Sequence, residues 1–224
     1  MIETILKDHE IIIENVKHVF FNNCHTDKLF IIFAGKIPKY VSISWFYKND
    51  QIFGNFLFLK NDEIINGELY YNSYNDEKYS KLIDYYIDKF NIKTIITYGP
   101  SMGGIASLYY GIKYNASLIV SIDPEPINYD YNMLIKHINE FNPDFSYNHK
   151  IFLNYTFVND LNNIADYTKA IINALQFKNI IFTLHPYRST VHLEFIPSKE
   201  CLFNIIKTFE KLHITQYNYF DKWF

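Results

Sequence analysis

The fold of this chain is decided by residues 94–105, which read TIITYGPSMGGI. The first five residues are β-branched or aromatic, which is typical of a buried strand. A helix is predicted to follow from Gly103 to Tyr114, so the turn between strand and helix carries the pattern Gly-x-Ser-x-Gly, centred on Ser101. Such a turn lifts the serine hydroxyl clear of the sheet and places it at a helix N-terminus, where amides favour negative charge. Ser101 is therefore predicted to be a nucleophile.

Glycine usage supports this interpretation. The whole chain has seven glycines, and three of them, Gly99, Gly103 and Gly104, fall within this one turn. A side chain at Gly99 or Gly103 would collide with the neighbouring strand and helix. The alternative of a phosphate-binding loop is disfavoured, because the turn has neither a Lys-Ser/Thr pair nor Gly-x-Gly-x-x-Gly spacing.

The rest of the chain alternates strands and helices around this segment. Strands are predicted over 9–16, 17–22, 28–33, 52–59, 93–98, 117–122, 150–157 and 179–184, and helices over 76–90, 103–114, 165–175 and 198–212. This alternation implies parallel strands joined by right-handed crossovers, and therefore an α/β fold with a doubly wound, mostly parallel sheet. We predict a single domain over 1–224, in which the irregular segment 125–149, with a helix near 131–140, is a candidate for a small lid.

Composition limits the classes of function. The chain has 224 residues, of which 49% are hydrophobic and 20% charged, and its formal net charge is -3, which is typical of a globular protein and disfavours nucleic acid as a partner. No apolar run approaches the roughly 20 residues of a membrane span. Two cysteines without metal-type spacing and a start without a signal-peptide pattern predict a cytoplasmic protein. No metal or dinucleotide motif is present, so we expect no tightly bound cofactor.

The turn Gly99-Pro100-Ser101-Met102-Gly103-Gly104 resembles the nucleophile elbow of the α/β-hydrolase superfamily. Its Ser-Met-Gly-Gly form is similar to the elbows of esterases and of some bacterial polysaccharide O-acetyltransferases with this fold. By the order of elements, the resemblance spans roughly residues 28–212. It implies a sheet of the α/β-hydrolase type and acyl transfer through a serine, and it leaves the substrate open.

The resemblance also implies an acid and a histidine that follow the serine in chain order. Asp160 follows the strand predicted over 150–157, at the place where the superfamily usually has its acid. Two alternatives remain: Asp123, which ends the preceding strand, and Asp166, which is better explained as a charge at the N-terminus of a helix.

His192 is the predicted base, because it lies in the loop after the last strand, between that strand and the final helix. His185 is the competing histidine. It stands at the end of the last predicted strand, directly before Pro186, which is early for a catalytic loop.

The oxyanion hole requires two backbone amides aimed at the developing negative charge. The resemblance implies that one belongs to Met102, which follows the nucleophile, and the other to Gly35 or Lys36 in the loop after strand 28–33. Arg188, the single arginine of the chain, lies between the last strand and His192. It either grips an anionic group of the substrate or forms a surface ion pair.

These observations predict a serine-dependent enzyme that forms an acyl-enzyme intermediate. With water as acceptor it is an esterase, and with a sugar hydroxyl it is an O-acetyltransferase, for which acetyl-CoA is a candidate donor. The substrate is then a small molecule or a carbohydrate. The alternative is a catalytically silent protein of the same fold that binds a glycan or a protein, and the oligomeric state is left open.

Overall fold

A single eight-stranded sheet with helices on both faces organises the chain. The computed structural model describes residues 2–23, 25–35, 40–48, 50–60, 63–65, 68–70, 77–125, 130–140, 150–157, 164–177, 182–188 and 196–208. The strands are β1 (Glu10–Ile13), β2 (Val16–Phe21), β3 (Lys28–Phe33), β4 (Asn55–Leu59), β5 (Glu63–Ile65), β6 (Glu68–Tyr70), β7 (Thr94–Pro100), β8 (Leu118–Ile122), β9 (Lys150–Phe157) and β10 (Phe182–Arg188). The helices are α1 (Ile2–His9), α2 (Ile43–Phe46), α3 (Glu77–Phe90), α4 (Met102–Lys113), α5 (Asp130–Glu140), α6 (Ile164–Phe177) and α7 (residues 199–208).

The strand order in the main sheet is β1-β2-β4-β3-β7-β8-β9-β10, and β5 and β6 form a separate two-stranded hairpin. Within the main sheet, the six adjacent strands β4-β3-β7-β8-β9-β10 are all parallel to their neighbours, whereas β2 runs antiparallel to both β1 and β4. The predicted doubly wound, mostly parallel sheet is confirmed. Parallel strands end at the same edge of a sheet, so the segments that follow β7, β8, β9 and β10 all leave from one edge.

Two apolar cores lie on opposite faces of the sheet. Along β7 the side chains alternate between them, with Ile95 in one core and Ile96 and Tyr98 in the other. Helices α3 to α6 contribute Leu82, Leu108, Leu134 and Ile171 to the first core, and α1, α2 and α7 contribute Ile5, Ile43 and Phe203 to the second. Because both faces are covered, the central strands contain continuous apolar runs, such as the buried FLFL at residues 56–59 of β4.

The segment 125–149 contains the helix predicted near 131–140, which the structure places at Asp130–Glu140 as α5. This helix contacts α4 and α6, and its Leu134 and Ile138 are buried in the first core. It thus forms part of the crossover from β8 to β9. Residues 126–129 and 141–149 of the lid candidate lie outside the described residues. Within the described part of the chain, no helix is long and apolar enough to cross a membrane.

Candidate active site

Ser101 stands alone between the last residue of β7 and the first residue of α4, in a backbone conformation with φ 55° and ψ −126°. A side-chain-bearing residue at positive φ of this kind is strained by about 1–3 kcal/mol and persists only where its surroundings hold it. Here its amide donates to the carbonyl of Ile122 at 2.8 Å, and its own carbonyl accepts from Gly104 at 2.8 Å and from Glu125 at 3.2 Å. The elbow is therefore held from both β8 and α4.

Close backbone contacts explain the glycines on either side of the serine. A Cβ atom at Gly99 would overlap the carbonyl of Gly103. One at Gly103 would lie 2.5 Å from the carbonyl oxygen of Phe33 and 2.7 Å from that of Ala34. These neighbours are backbone atoms of α4 and of the end of β3, so neither collision is relieved by rotating a side chain. The steric role predicted for both glycines is confirmed.

Buried hydroxyl groups attach α4 to the strands beneath it. The Ser107 hydroxyl lies 3.1 Å from the Val120 carbonyl oxygen, and the Thr97 hydroxyl donates to the Ser107 carbonyl at 2.9 Å. Nearer the elbow, the Ser121 hydroxyl donates to the carbonyl of Gly104 at 3.0 Å. Hydrogen bonds in an otherwise apolar interface fix the position of the helix along the sheet. They thereby fix the helix N-terminus next to Ser101.

The carboxylate of Glu125 lies against the candidate nucleophile. The Ser101 hydroxyl donates to Glu125 Oε2 at 3.2 Å, and the serine is only 3% exposed while Glu125 is half-buried. In this segment the sequence suggested Asp123 as an alternative acid, and Glu125 was not predicted. Asp123 is itself buried, 3% exposed, with a left-handed φ of 43°. The available signal is an acidic residue just after β8, because β8 is the parallel neighbour of β7 and ends at the same edge, but Asp123 and Glu125 both carry that signal.

Two of the three predicted oxyanion-hole residues lie beside Ser101. Met102 is the first residue of α4, where helix amides have no intrahelical carbonyl to bond. A Cβ atom at Gly35 would lie 3.4 Å from the Ser101 Cβ and 3.2 Å from the Pro100 carbonyl oxygen, so this glycine backbone borders the elbow. Lys36, the third predicted residue, lies outside the described residues.

The predicted acid and base, Asp160 and His192, also lie outside the described residues. The strands that precede them are described. β9 ends at Phe157 and β10 at Arg188, and both run parallel to β7 within the sheet. Asp166 is the third residue of α6, in the first turn of that helix.

The last strand is longer than predicted. It continues through His185 to Arg188, so Arg188 is its final residue rather than a loop residue between the strand and His192. Among the described residues, no cluster of three or more His, Cys, Asp or Glu side chains is arranged to hold a metal ion.

The sequence matches no family model, and no curated protein matches it. Solved structures do match. The capsule O-acetyltransferase of Neisseria meningitidis serogroup A, as a mutant in complex with CoA, is 16% identical with a TM-score of 0.63, covering 91% of this chain and 98% of that one. A carboxylesterase from Mesorhizobium loti is 6% identical with a TM-score of 0.60, covering 91% and 99% of the two chains. Acyl-protein thioesterase 2 of Zea mays is 11% identical with a TM-score of 0.54, covering 87% and 97%.

These similarities extend over nearly the full length of both chains, and at such low identities they show the fold alone. The chain has the α/β-hydrolase fold, as the resemblance of its elbow implies.

Proposed function

We propose that this chain of α/β-hydrolase fold is a serine-dependent acyl-transfer enzyme, an esterase or an O-acetyltransferase acting on a small or carbohydrate ester or hydroxyl. The observation that carries the proposal is the backbone of Ser101, strained at φ 55° between the end of β7 and the start of α4. Strain of this kind clusters at functional sites, where it presents a reactive group. The wide use of the fold by esterases and transferases supports an enzyme.

In the proposed reaction, the Ser101 hydroxyl attacks the carbonyl carbon of an ester or thioester. His192 takes the hydroxyl proton and returns it to the leaving alcohol or thiol, and Asp160 orients the imidazole. The amides of Met102 and of Gly35 or Lys36 bind the oxyanion. Water or an acceptor hydroxyl then attacks the acyl-enzyme, and His192 moves the proton in the second step as in the first.

The nature of the acceptor divides esterase from transferase. The similar capsule O-acetyltransferase was solved with CoA, which favours acetyl-CoA as the donor for this chain as well. We therefore propose an acetyl donor of this kind together with a hydroxylated acceptor, and hydrolysis as the competing outcome.

A fluorophosphonate probe, which reacts with activated serines, tests the nucleophile. We expect the wild-type protein to be labelled and Ser101→Ala to lose labelling while keeping its circular dichroism spectrum. Ser117→Ala is the matched control, since Ser117 bonds the Ile95 carbonyl at the opposite end of β8 and should stay labelled. A folded wild-type protein that takes no label would contradict the enzyme and favour the silent binding protein.

Incubation with acetyl-CoA separates the two acyl-transfer reactions. Release of CoA only when a sugar acceptor is present identifies a transferase, and release in its absence identifies hydrolysis. Neither reaction should occur with Ser101→Ala.

A further inference from the structure

The backbone places Glu125 beside the nucleophile independently of its own side chain. The Glu125 amide donates to the Ser101 carbonyl at 3.2 Å, and three residues earlier the Ile122 carbonyl accepts from the Ser101 amide at 2.8 Å. Between them, Pro124 packs so closely on α4 that a Cβ atom at Gly104 would lie 3.1 Å from the Pro124 Cα. The segment from Ile122 to Glu125 thus wraps the elbow, and the carboxylate is held within reach of the Ser101 hydroxyl.

A general-base role in the first step does not suit this carboxylate. The Ser101 Oγ to Glu125 Oε2 distance of 3.2 Å exceeds the roughly 2.5–2.7 Å of a strong hydroxyl–carboxylate bond. A carboxylate is also a weaker base than an imidazole, by about two pKa units in ordinary peptides.

A carboxylate has about four acceptor positions, so Glu125 can accept a hydrogen from a bound substrate in addition to its present contacts. When Ser101 becomes acylated, its oxygen loses the hydrogen that it donates to Oε2. The Glu125 carboxylate then lies beside the ester oxygen of the acyl-enzyme. There it can accept a hydrogen bond from the alcohol that approaches the acyl carbon.

We propose, on the basis of the proposed function, that Glu125 binds the acyl acceptor through a hydroxyl adjacent to the one that attacks, and so selects vicinal diols such as those of sugars. The attacking hydroxyl has one hydrogen, which goes to His192 as its oxygen bonds to the acyl carbon. The bond between that carbon and Ser101 Oγ then breaks, and His192 returns the proton to Oγ. Glu125 accepts the hydrogen of the neighbouring hydroxyl throughout and gains no proton.

Two alcohols of nearly equal size test this assignment: 1,2-ethanediol and 1-propanol, which differ by a hydroxyl in place of a methyl group. With p-nitrophenyl acetate as donor, nitrophenol release reports acylation and the acetate esters report transfer. A hydrogen bond to a charged group contributes about 1.5–3 kcal/mol. We therefore expect the wild type to favour the diol about 10-fold or more, well above the factor of about two expected from its two hydroxyls.

Glu125→Ala should reduce this preference to about twofold. The preference is read as the ratio of the two acetate esters formed by the same protein with both alcohols present, so a change in the acylation rate does not enter it. Glu125→Gln keeps the shape of the side chain and should also lower the preference, which covers the case that the alanine variant folds poorly. Glu77→Ala, an exposed glutamate at the start of α3, is the matched control and should keep the wild-type preference.

An equal diol preference in wild type and both Glu125 variants would overturn the assignment, and so would a wild type that transfers acetyl to neither alcohol. Failure of the proposed function has a different signature: the wild type would then show neither nitrophenol release nor labelling at Ser101.

Discussion

At the scale of single residues, the candidate site depends on backbone conformation more than on side-chain rotamers. Ser101 has φ 55°, and three backbone hydrogen bonds at its amide and carbonyl hold this conformation. Each such bond contributes about 1 kcal/mol, which is enough together to offset a strain of about 1–3 kcal/mol. The position of the Ser101 hydroxyl therefore depends on how closely β3, β7 and α4 approach one another. Gly99 and Gly103 make this close approach possible because they have no side chain.

Gly103→Ala should destabilise the protein. The added methyl group would meet the backbone carbonyls of Phe33 and Ala34 at 2.5 and 2.7 Å, so α4 or β3 must shift. We expect the free energy of unfolding to fall by about 1–3 kcal/mol, the usual cost of overpacking, in urea titrations followed by circular dichroism. Gly35→Ala is the comparison, since its Cβ would lie 3.2 Å or more from its neighbours and should cost less than about 1 kcal/mol. A loss below about 1 kcal/mol for Gly103→Ala, no larger than that for Gly35→Ala, would show that α4 and β3 separate to accommodate a methyl group at Gly103.

Some residues of the candidate site could be predicted from the sequence and others could not. Ser101 and its glycines were predictable because the motif and its steric requirements are local. Glu125 was not, because the left-handed backbone of Asp123, at φ 43°, redirects the chain after β8. Sequence alone does not indicate which side chain of the segment Asp123-Pro124-Glu125 then faces the serine.

At the scale of helices and strands, predictions succeeded where both faces of an element are buried and failed at short or peripheral elements. The central strands are continuous apolar runs, whereas α2 has four residues and α1 buries only Ile5. The end of β10 was placed too early because proline usually ends a strand. In the structure Pro186 pairs with Tyr155 of β9, at the edge of the described sheet, where a missing amide is tolerated.

A buried histidine links β2 to α3 and should make stability depend on pH. His18 is fully buried; its Nδ1–H donates to the Val16 carbonyl at 2.9 Å, so Nε2 accepts from the Tyr86 hydroxyl at 2.6 Å. Burial lowers the pKa of His18 below its ordinary value, against the opposing effect of the Val16 hydrogen bond. The unfolded chain thus binds a proton more readily, and stability should fall as the pH drops below about 6.5, by at most about 1.4 kcal/mol per pH unit.

Urea unfolding at pH 7.5 and 5.5 measures this effect. His18→Gln should have a lower free energy of unfolding than the wild type at pH 7.5. Between pH 7.5 and 5.5, however, its free energy of unfolding should fall by about 1 kcal/mol less than that of the wild type. His137, whose pKa is lowered by burial and by nearby Lys113, titrates in both proteins and cancels in the comparison. The same pH dependence in both proteins would assign the acid sensitivity to groups other than His18.

At the scale of the whole molecule, the sheet brings together segments that are far apart in the sequence. Ser101 follows β7, Glu125 follows β8, Asp160 comes three residues after the last residue of β9, and His192 comes four after that of β10. These four strands are consecutive neighbours and all parallel, so their C-terminal ends share one edge. Ligands bind at this edge in open α/β sheets. This topology supports the proposed triad, whose members are separated by dozens of residues in the sequence.

This topology leads to a prediction that separates the two candidate histidines. β10 ends at Arg188, at the edge that carries Ser101, and His192 comes four residues later in the sequence. His185 is the fourth of the seven residues of β10, half a strand short of that edge. At a rise of about 3.3 Å per residue, the three steps from Arg188 back to His185 place His185 about 10 Å from the end of the strand. We expect His192→Ala to lower fluorophosphonate labelling of Ser101 by 100-fold or more, within the roughly 10²–10⁴-fold typical of general-base loss, and His185→Ala to leave it largely intact. Circular dichroism and urea titration of both variants separate catalysis from folding. If His185→Ala abolishes labelling in a protein that remains folded, while His192→Ala does not, the base lies within the strand and the proposed order of Ser101, Asp160 and His192 is wrong.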